Sequence, residues 1–408
     1  MITDVIIIGG GASGMFSAVY LKKKYPELTV KVLEALPRVC KKLCLTGNGR
    51  CNITNKNINI SRYQGENVDF CEYALQKYNR NFTQSFFEEI GVPFTFEADK
   101  GFPSSFQAGS VVDCLRFSAE ELGVVIHTDT KVDNIQLSGS YYKVISDKVS
   151  FLCKNLIIAT GLYSGGESLG CDGSILKILK TAGYNLIPTF PAIVQLKTPN
   201  DIVRQLKGIK INAQVTLYSN NENLRTDYGE VLFCDYGLSG PPILQLSSTA
   251  IKHNNCKISI DLMPQTNLEA IIETLSIRAS TLYNRTLEEF LTGMLNKRLG
   301  QVILKLAGCK LTDKARDLSY EQIKKCAMII KSFDFDIIGH TGFTNSQATQ
   351  GGLDTKQFYD YSMMSKTNKN LYCIGEILDI CGDCGGFNLQ WAWSSAACAC
   401  DSIGNGGI

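Results

Sequence analysis

The stretch that decides the fold is Asp4–Gly14 (DVIIIGGGASG), at the start of the chain. Its apolar residues are typical of a buried strand, and Gly9, Gly11 and Gly14 fit the pattern G-x-G-x-x-G. An apolar helix and a second strand follow, and that strand ends at Glu34, 20 residues after Gly14. Such glycines let the backbone approach a pyrophosphate at a helix N-terminus, while the acid binds ribose hydroxyls. The sequence therefore predicts a dinucleotide site.

Length, charge and cysteine content restrict the class of protein. A chain of 408 residues exceeds the size at which one core keeps growing, so about two or three domains are expected. The net charge of +2 argues neither way about partners, but no basic tract appears, so no nucleic-acid partner is expected. The apolar N-terminal run is too short for a secretion signal or a membrane span. The 16 cysteines have no framework spacing and indicate reduced thiols, so we expect a cytoplasmic protein.

Strand and helix patterns at both ends of the chain predict one doubly wound α/β sheet. Leu156–Gly161 and Asn370–Gly375 resemble buried parallel strands that end in glycine, and a final helix is expected over about Asn388–Ile403. Between Pro188 and about Asn345 the pattern changes. From Asn267 to Ser332 apolar residues recur at helical spacing, as at Leu287, Phe290, Leu291 and Met294, whereas the segment before it alternates as antiparallel strands do. These strands are predicted at Gln195–Lys197, Asn212–Tyr218, Glu230–Phe233 and Lys257–Asp261, with turns at Asn220-Asn221 and Pro241-Pro242.

The C-terminal motifs favour FAD over a nicotinamide as the resident dinucleotide. Leu371–Glu376 is a late strand ending in glycine and an acid, as at the ribityl chain of two-dinucleotide-type flavoproteins. Gly385-Gly386 precedes Phe387–Gln390, which opens the last helix, and amides at a helix N-terminus can bind the flavin pyrimidine oxygens. We therefore predict a FAD-binding domain over 1–188 and 345–408. An inserted β domain covers 189–266 and 333–344, and a helical subdomain covers 267–332.

Several further motifs, in the same order, resemble the BaiN and aminoacetone oxidase family of flavoproteins over essentially the whole chain. They are Gly49–Asn55, Gly101–Pro103, Ala159–Gly161, Thr349–Gly352, Gly375–Asp379 and Gly385–Ala392. The resemblance implies a two-dinucleotide-type Rossmann-like FAD domain split across both ends, a β-barrel-like insert and a small helical domain. Cys40 stands where the family usually has glycine, and Cys381 where it often has an acidic residue.

The resemblance also implies cofactor contacts, position by position. They are Gly9, Gly11, Ala12, Ser13 and Gly14 at the pyrophosphate, Glu34 at the adenosine ribose, Lys41, Lys42, Arg50, Cys51 and Asn52 near the phosphates and flavin, Val132 at adenine, Thr160 and Gly161 at a second pyrophosphate turn, Glu376 at the ribityl chain, and Gly351, Asn388, Leu389 and Gln390 around the isoalloxazine.

Two cysteine pairs offer a different chemistry. Cys381 and Cys384 form a C-x-x-C motif, and Cys40 and Cys44 follow the ribose acid much as a redox pair does in flavin disulfide reductases. Those enzymes carry a second G-x-G-x-x-G unit, which this sequence lacks, and a spacing of four residues between the cysteines in place of the three found here. A dithiol role is the lesser hypothesis, because most cysteines are small buried hydrophobic residues.

No metal site is predicted, because the three histidines are scattered and Cys398 and Cys400 would point to opposite sides of a helix. His340, just before the flavin-side glycines, is the one candidate proton donor, and its alternative is a structural role.

The resemblance implies an NAD(P)H-dependent reductase of a C=C conjugated to a ketone, as in 3-oxo-Δ4 bile acids, with a transient NAD(P)H site and an apolar small-molecule substrate. Two alternatives remain open: a FAD-dependent oxidase of an amine such as aminoacetone, and a non-catalytic flavin-containing binding protein.

Overall fold

The computed structural model describes residues 2–147 and 149–406. The chain divides into two compact units: Met1–Ala192 with Phe343–Ile408, and Ile193–Gly342. The chain leaves the first unit after Ala192 and re-enters it at Phe343, so the second unit is a single insertion.

The first part of the chain contains the following helices and strands: β1 (Ile2–Ile8), α1 (Ala12–Lys24), β2 (Val30–Leu33), β3 (Thr54–Asn55), β4 (Tyr63–Gln64), α2 (Glu72–Lys77), α3 (Arg80–Glu89), β5 (Phe94–Glu97), β6 (Lys100–Pro103), α4 (Ala108–Glu121), β7 (Val125–His127), β8 (Val132–Ser138), β9 (Tyr141–Ser146), β10 (Ser150–Ile158), α5 (Ser174–Thr181) and β11 (Leu186–Ala192). The insertion contains β12 (Leu196–Lys197), α6 (Asn200–Gln205), β13 (Lys210–Ser219), β14 (Glu222–Phe233), β15 (Gly237–Ser239), α7 (Pro241–Ala250), β16 (Cys256–Asp261), α8 (Leu268–Thr281), α9 (Leu287–Phe290), α10 (Lys297–Leu306), α11 (Tyr320–Lys331), β17 (Phe333–Asp336) and β18 (Gly339–His340). The last part contains β19 (Ala348–Leu353), β20 (Leu371–Cys373), β21 (Cys381–Gly382) and α12 (Phe387–Gly404).

The main sheet of the first unit has its parallel strands in the order β7-β2-β1-β10-β20. Counted along the chain, this order is 3-2-1-4-5, as in doubly wound dinucleotide-binding sheets. β9 pairs antiparallel with the beginning of β10, and β8 pairs with β9. The predicted α/β fold is therefore confirmed. The strand order reverses between β1 and β10, and this is where such sheets bind ligands.

Helix α12 is buried on nearly all sides, and most of its residues are apolar or small. Each of its tryptophans is buried and donates its indole N–H to a backbone carbonyl 3.0 Å away, Trp391 to Gly375 and Trp393 to Ile53. Tryptophans with satisfied N–H groups fill a core without leaving an unpaired donor. Through them α12 packs beside both the late strand and the segment before β3.

Near its C-terminus, α12 carries a buried carboxylate that ties three parts of the first unit together. Asp401 accepts hydrogen bonds from the hydroxyls of Tyr78 at 2.7 Å, Tyr20 at 3.1 Å and Tyr25 at 3.3 Å. It also pairs with Lys24, whose Nζ lies 2.7 Å away. This Asp401 cluster joins α12 to the end of α1 and to the residue after α2.

A two-stranded sheet in the first unit joins the points where the chain leaves and returns. β11 pairs antiparallel with β19, and Ala192 lies opposite Ala348 in the register. Pro188 and Gly351 also approach closely here, since a Cβ added to Gly351 would lie 2.1 Å from the Pro188 carbonyl oxygen.

The second unit is built on a seven-stranded sheet in the order β17-β16-β13-β14-β15-β12-β18, whose pairings are antiparallel. One continuous segment, 333–340, pairs with β16 through β17 and with β12 through β18, so it connects the two edges of the sheet. Such a connection gives the sheet a barrel-like closure.

The helices of the insertion share one hydrophobic core with this sheet. Ile271, Leu299 and Ile330 from the helices belong to the same buried cluster as Val215 and Ile258 from the strands. Ile193–Gly342 is therefore one compact unit, within which the sequence predicts a β domain that carries a helical subdomain. Apolar periodicity shows that a helix has a buried face, but it does not show which element covers that face.

Two local predictions in the insertion are wrong. Pro241-Pro242 was expected in a turn, but these residues begin α7. Proline suits the first helical positions because its ring fixes φ and its missing N–H has no partner there in any case. Leu287, Phe290, Leu291 and Met294, which recur at helical spacing, give only the short α9, since the helix ends at Phe290.

The predicted Asn220-Asn221 turn is confirmed as the two-residue loop between β13 and β14. Both asparagines have positive φ, 48° and 67°, as a type I′ turn requires.

Replacing Asn221 by valine is expected to lower the free energy of unfolding by about 1–2 kcal/mol, because a branched residue resists this conformation. Asn221→Gly should match or slightly exceed the wild type in urea unfolding. Equal stability of the two variants would contradict the turn assignment.

Candidate cofactor site

In the glycine-rich turn after β1, the backbones of the strands, the turn and the helix approach each other closely. Gly9 has φ of +100°, and a Cβ there would lie 2.6 Å from the Ala159 carbonyl oxygen at the end of β10. A Cβ on Gly14 would lie 1.9 Å from the Gly9 carbonyl oxygen. Real Cβ atoms do not approach this closely, so glycine at both positions is required by packing.

Gly11 and Gly161 differ from the packed glycines because they face open space. A Cβ added to either would meet no described atom within 4 Å. Gly11 is the N-cap residue of α1, and among the described residues no side chain caps this helix end. Ala12 and Ser13 therefore begin a helix whose first amides are available to an anion. The end of β10, with Thr160 and Gly161, borders the same turn through the Ala159–Gly9 approach.

Glu34 follows β2 and its carboxylate is held by backbone amides. Gly10 N–H donates to Oε2 at 2.7 Å and Leu36 N–H donates to Oε1 at 2.8 Å. Burial raises the pKa of Glu34, and these two hydrogen bonds oppose that shift. The Thr130 amide donates to the Glu34 carbonyl at 2.8 Å, which brings the segment that leads to Val132 beside the acid. Glu34, predicted at the ribose, therefore lies near the segment that leads to Val132, which was predicted at adenine.

The predicted cationic residues have different partners. Lys42 Nζ lies 2.7 Å from Glu376 Oε2 and also contacts Ser164 Oγ, and the Ser164 hydroxyl donates to Glu376 Oε1 at 2.5 Å. Burial opposes the charge of Lys42, but the Glu376 carboxylate raises its pKa overall. Lys41 instead donates to the Ser168 carbonyl at 2.7 Å. Lys42 therefore neutralises the predicted ribityl acid.

Arg50 lies on the exposed side of its segment. Its guanidinium is 2.8 Å from Glu97 and lies over the Phe102 ring, with 4.5 Å between Cζ and the ring centroid. Cys51, next to it, is fully buried with φ of +57°. Of these three consecutive residues, which were predicted near phosphate and flavin, Asn52 is the best candidate for a polar contact with a ligand.

The Asn52 side chain lies at the N-terminus of α12 with an unused acceptor. Its Oδ1 is buried and has no hydrogen-bond partner among the described residues. A Cβ on Gly386, which precedes the helix with φ of +97°, would lie 2.9 Å from this atom and 2.5 Å from the Thr54 carbonyl oxygen. A buried acceptor without a donor is costly, so this end of the helix is suited to a ligand that supplies an N–H.

Asn388 and Gln390 use their side chains inside the protein. Asn388 Oδ1 accepts the Gly382 amide, and its Nδ2 donates to the Gly382 carbonyl, both at 2.8 Å. Gln390 Oε1 accepts from Thr54 at 2.6 Å, its Nε2 donates to Thr83 at 2.9 Å, and its amide donates to the Gly386 carbonyl at 3.0 Å. These residues fix α12 and the 381–384 loop. We propose that the backbone amides of Phe387, Asn388 and Leu389 face a cofactor, and that Gln390 does not.

Strand β19 adds a second unused acceptor. Gln350 Nε2 donates to Gln64 Oε1 at 2.8 Å, and its buried Oε1 is without a partner in the part of the chain that the structure describes. Gly351 follows with φ of +85°. Together, the open space at Gly11 and Gly161, the uncapped start of α1 and the two unused acceptors fit a dinucleotide with an imide-bearing ring such as FAD.

The backbone at Cys40 explains why glycine is usual there in the resembling family. Cys40 has φ of +57°, a conformation that favours glycine, and its Sγ lies 3.7 Å from the Gly11 carbonyl oxygen. Burial raises the pKa of its thiol well above the usual value, and burial raises that of Cys51 to about 12. Thiolates are the reactive form, so these surroundings do not favour a Cys40–Cys44 redox pair. Cys381 is likewise buried.

His340 belongs to the second unit, in β18, whereas the predicted cofactor residues belong to the first. Its Nδ1 accepts the Gly342 amide at 3.1 Å. Burial lowers its pKa and nearby Lys197 lowers it further. At neutral pH the imidazole is therefore neutral, and its Nδ1 has a structural hydrogen bond.

Across residues 2–147 and 149–406, no group of three or more His, Cys, Asp or Glu side chains is placed to hold a metal ion. Within the same ranges, every helix is too short or too polar to cross a bilayer.

Three polar residues near the site were not assigned from the sequence: Ser164, Thr349 and Gln350. Thr349 and Gln350 lie in the Thr349–Gly352 motif, so the motif itself was a usable signal. Ser164 lies in a loop three residues after Gly161, and only its fully buried position marks it. A lone serine in a loop carries no pattern that distinguishes it from other surface serines.

Comparison with known proteins agrees with this geometry. The model of the HI0933-like protein Rossmann domain matches residues 3–402. The chain is 32% identical to a 3-dehydro-bile acid delta(4,6)-reductase of Clostridium scindens, covering 95% of this chain and 96% of that protein. It is 29% identical to a ribosomal RNA dihydrouridine synthase of Haemophilus influenzae, covering 97% and 98%.

Among solved structures, the 3-ketosteroid delta1-dehydrogenase of Sterolibacterium denitrificans has a similar fold. The TM-score is 0.52 at 12% identity, and 99% of each chain is covered. The match of the family model over nearly the whole chain confirms the resemblance that the sequence motifs indicate. The chain therefore belongs to the HI0933-like family of FAD-dependent Rossmann-fold oxidoreductases.

Proposed function

We propose that this protein reduces a C=C bond conjugated to a ketone with electrons from NAD(P)H, and that its substrate is an apolar 3-oxo-Δ4 steroid or bile acid. The observation that carries the proposal is the 32% identity to a 3-dehydro-bile acid delta(4,6)-reductase across 95% of the chain. The site in the first unit supports it, because its residues fit the FAD that such chemistry needs.

Three of the segments that would hold FAD follow the parallel strands β1, β2 and β20, and the fourth is the start of α12. Glu34 would bind the adenosine ribose, the start of α1 the pyrophosphate, Glu376 the ribityl chain, and the start of α12 the flavin ring. When bound, the flavin supplies hydride chemistry. We propose Asn52 Oδ1 as the acceptor for the imide N–H of the ring.

The chain itself contributes electrostatics and exclusion of water. The N-terminal end of α12 carries a partial positive charge, which favours negative charge next to it. The neighbouring side chains Asn52, Thr54 and Gln390 are each at least nine-tenths buried. Fixed dipoles in such surroundings act more strongly than in water.

A second candidate is the reduction of a uridine in ribosomal RNA. The Haemophilus influenzae relative is named for this product and matches 97% of this chain. The C5–C6 double bond of uridine is also conjugated to a carbonyl, so both relatives act on the same kind of bond. The lower identity and the absence of a basic tract in the sequence place this candidate second. An aminoacetone oxidase and a non-catalytic flavoprotein follow as further alternatives.

An anaerobic reductive titration would test the proposal. We expect the purified protein to show a FAD spectrum, its flavin band to bleach with NADH or NADPH, and the band to recover when a 3-oxo-Δ4 bile acid is added. Recovery with a uridine-containing rRNA fragment but not with the steroid would favour the second candidate. Bleaching by aminoacetone alone, with recovery in air, would indicate the oxidase, and no bleaching by any donor would indicate the non-catalytic alternative.

A further inference from the structure

A partly buried polar network surrounds the acid predicted at the ribityl chain, and this network includes Ser164, which no sequence motif had marked. Its members are Lys42, Ser164, Thr349 and Glu376, all in the first unit. Ser164 and Thr349 are 0% and 1% exposed, respectively. We propose that Ser164 is a positioning residue for the cofactor: together with Lys42 it holds the Glu376 carboxylate ready to accept the ribityl hydroxyls.

The position of Ser164 is itself fixed by strand β19. The hydroxyl oxygen of Thr349 accepts the amide N–H of Ser164 at 3.0 Å and that of Tyr163 at 3.3 Å. These two hydrogen bonds anchor the loop after β10 to β19, a strand that follows the insertion in the sequence. The backbone of Ser164 is therefore held in place, which restricts the positions that its hydroxyl can occupy.

Each oxygen of the Glu376 carboxylate has one partner within this network. Oε1 accepts the Ser164 hydroxyl at 2.5 Å, and Oε2 pairs with Lys42 Nζ at 2.7 Å. An ionised carboxylate has about four lone-pair sites, so capacity remains for two further donors. A 1,2-diol chain offers such donors. The carboxylate is thus oriented before the ligand arrives, which reduces the entropy cost of binding.

Charge balance explains why the network needs a lysine. Side-chain exposure is 27% for Lys42 and 21% for Glu376, and their opposite charges compensate each other in this partly buried setting. The thiols of Cys171 and Cys381 also interact electrostatically with Lys42. A neutral network keeps the hydroxyl-binding end free of excess charge. Because Lys42 is paired with Glu376, we expect the backbone amides at the start of α1, and not Lys42, to bind the pyrophosphate.

The test compares two ligands in the full-length protein after its bound flavin has been removed. FAD contains the ribityl chain, whereas ADP has only the other half of the molecule. We expect Ser164→Ala to weaken FAD binding about tenfold, measured by flavin fluorescence, and to change ADP binding less than twofold. Ser110→Ala, which removes an exposed hydroxyl bonded to the Gln107 carbonyl, is the matched control and should alter neither.

A double-mutant cycle distinguishes positioning from a direct contact. If Ser164 acts through Glu376, then Ser164→Ala should add less than twofold to the loss of FAD affinity caused by Glu376→Gln. Independent, multiplicative losses would overturn the proposal, as would an equal weakening of FAD and ADP. The inference rests on the proposed FAD site: a wild-type protein that binds neither ligand would refute both, whereas normal FAD binding by Ser164→Ala would refute only the role of Ser164.

Discussion

Replacing Asp401 by alanine is expected to lower the free energy of unfolding by about 3–5 kcal/mol, because a buried acceptor is removed while the tyrosine hydroxyls that donate to it stay. The variant leaves Lys24 without its anion and the hydroxyls of Tyr20, Tyr25 and Tyr78 without their acceptor. Buried donors that lose their acceptor are costly. Denaturant unfolding followed by tryptophan fluorescence would measure the loss, since both tryptophans lie in the same helix.

Glu120→Gln is the matched control in the same unit. Glu120 pairs with Arg116 at 2.8 Å on the surface of α4, and exposed pairs of this kind contribute less than about 1 kcal/mol. We expect its unfolding midpoint to stay near that of the wild type. A similarly small effect of Asp401→Ala would show that the Asp401 cluster does not stabilise the fold.

The Asp401 cluster also predicts how stability depends on pH. Burial by itself favours the neutral acid, but Lys24 and Tyr78 hold the pKa of Asp401 below its usual range. A carboxyl with a lowered native pKa stabilises the fold above its unfolded pKa of about 4, and this contribution is lost as pH falls through the native value. The stability gap between wild type and Asp401→Asn should therefore be full at neutral pH and narrow below about pH 4.

Gly14→Ala and Gly11→Ala are expected to separate folding from cofactor binding. A methyl group at Gly14 would lie 1.9 Å from the Gly9 carbonyl oxygen, so α1 must move away from β1, at a cost of about 3 kcal/mol. A methyl group at Gly11 meets open space, and its φ of −78° suits alanine. The stability of Gly11→Ala should stay within about 1 kcal/mol of the wild type.

Gly11→Ala, which should hardly change stability, is expected to weaken FAD binding. Its methyl group projects into the space proposed for the pyrophosphate, so we expect FAD to bind at least about tenfold more weakly, a difference of about 1.4 kcal/mol. Thermal unfolding of the flavin-free protein and titration with FAD would give the two quantities separately. Unchanged FAD affinity in a stable Gly11→Ala protein would refute the proposed phosphate position.

The parts of the fold that follow from local chemistry were predictable from the sequence. The apolar run before Gly9 is typical of a buried strand, and the glycine pattern requires a close backbone approach that the structure shows at Gly14. The late strand, β20, and the last helix, α12, are also where the sequence indicates. In each case neighbouring residues contain the whole signal, because periodicity and turn chemistry are properties of short segments.

The arrangement of polar side chains was less predictable, because it depends on residues far apart in the sequence. Lys42 was expected near the phosphates and flavin, but its hydrogen-bond partner Glu376, 334 residues later, could not be read from the sequence. Gln390 was expected at the flavin, yet Thr54 and Thr83 use both ends of its amide. Motifs identify which residues gather at a site, but hydrogen-bond partners across the fold decide which groups remain for a ligand.

The pairing of β11 with β19 has a consequence for engineering and for the history of the fold. Ala192 and Ala348 face each other in one antiparallel ladder, so a short reverse turn could join the two strands and omit the residues between them. A minimal cofactor domain made in this way would keep every strand of the parallel sheet. The same geometry would let a gene encoding an ancestral hairpin accept a foreign segment at its tip without disturbing the nucleotide-binding scaffold.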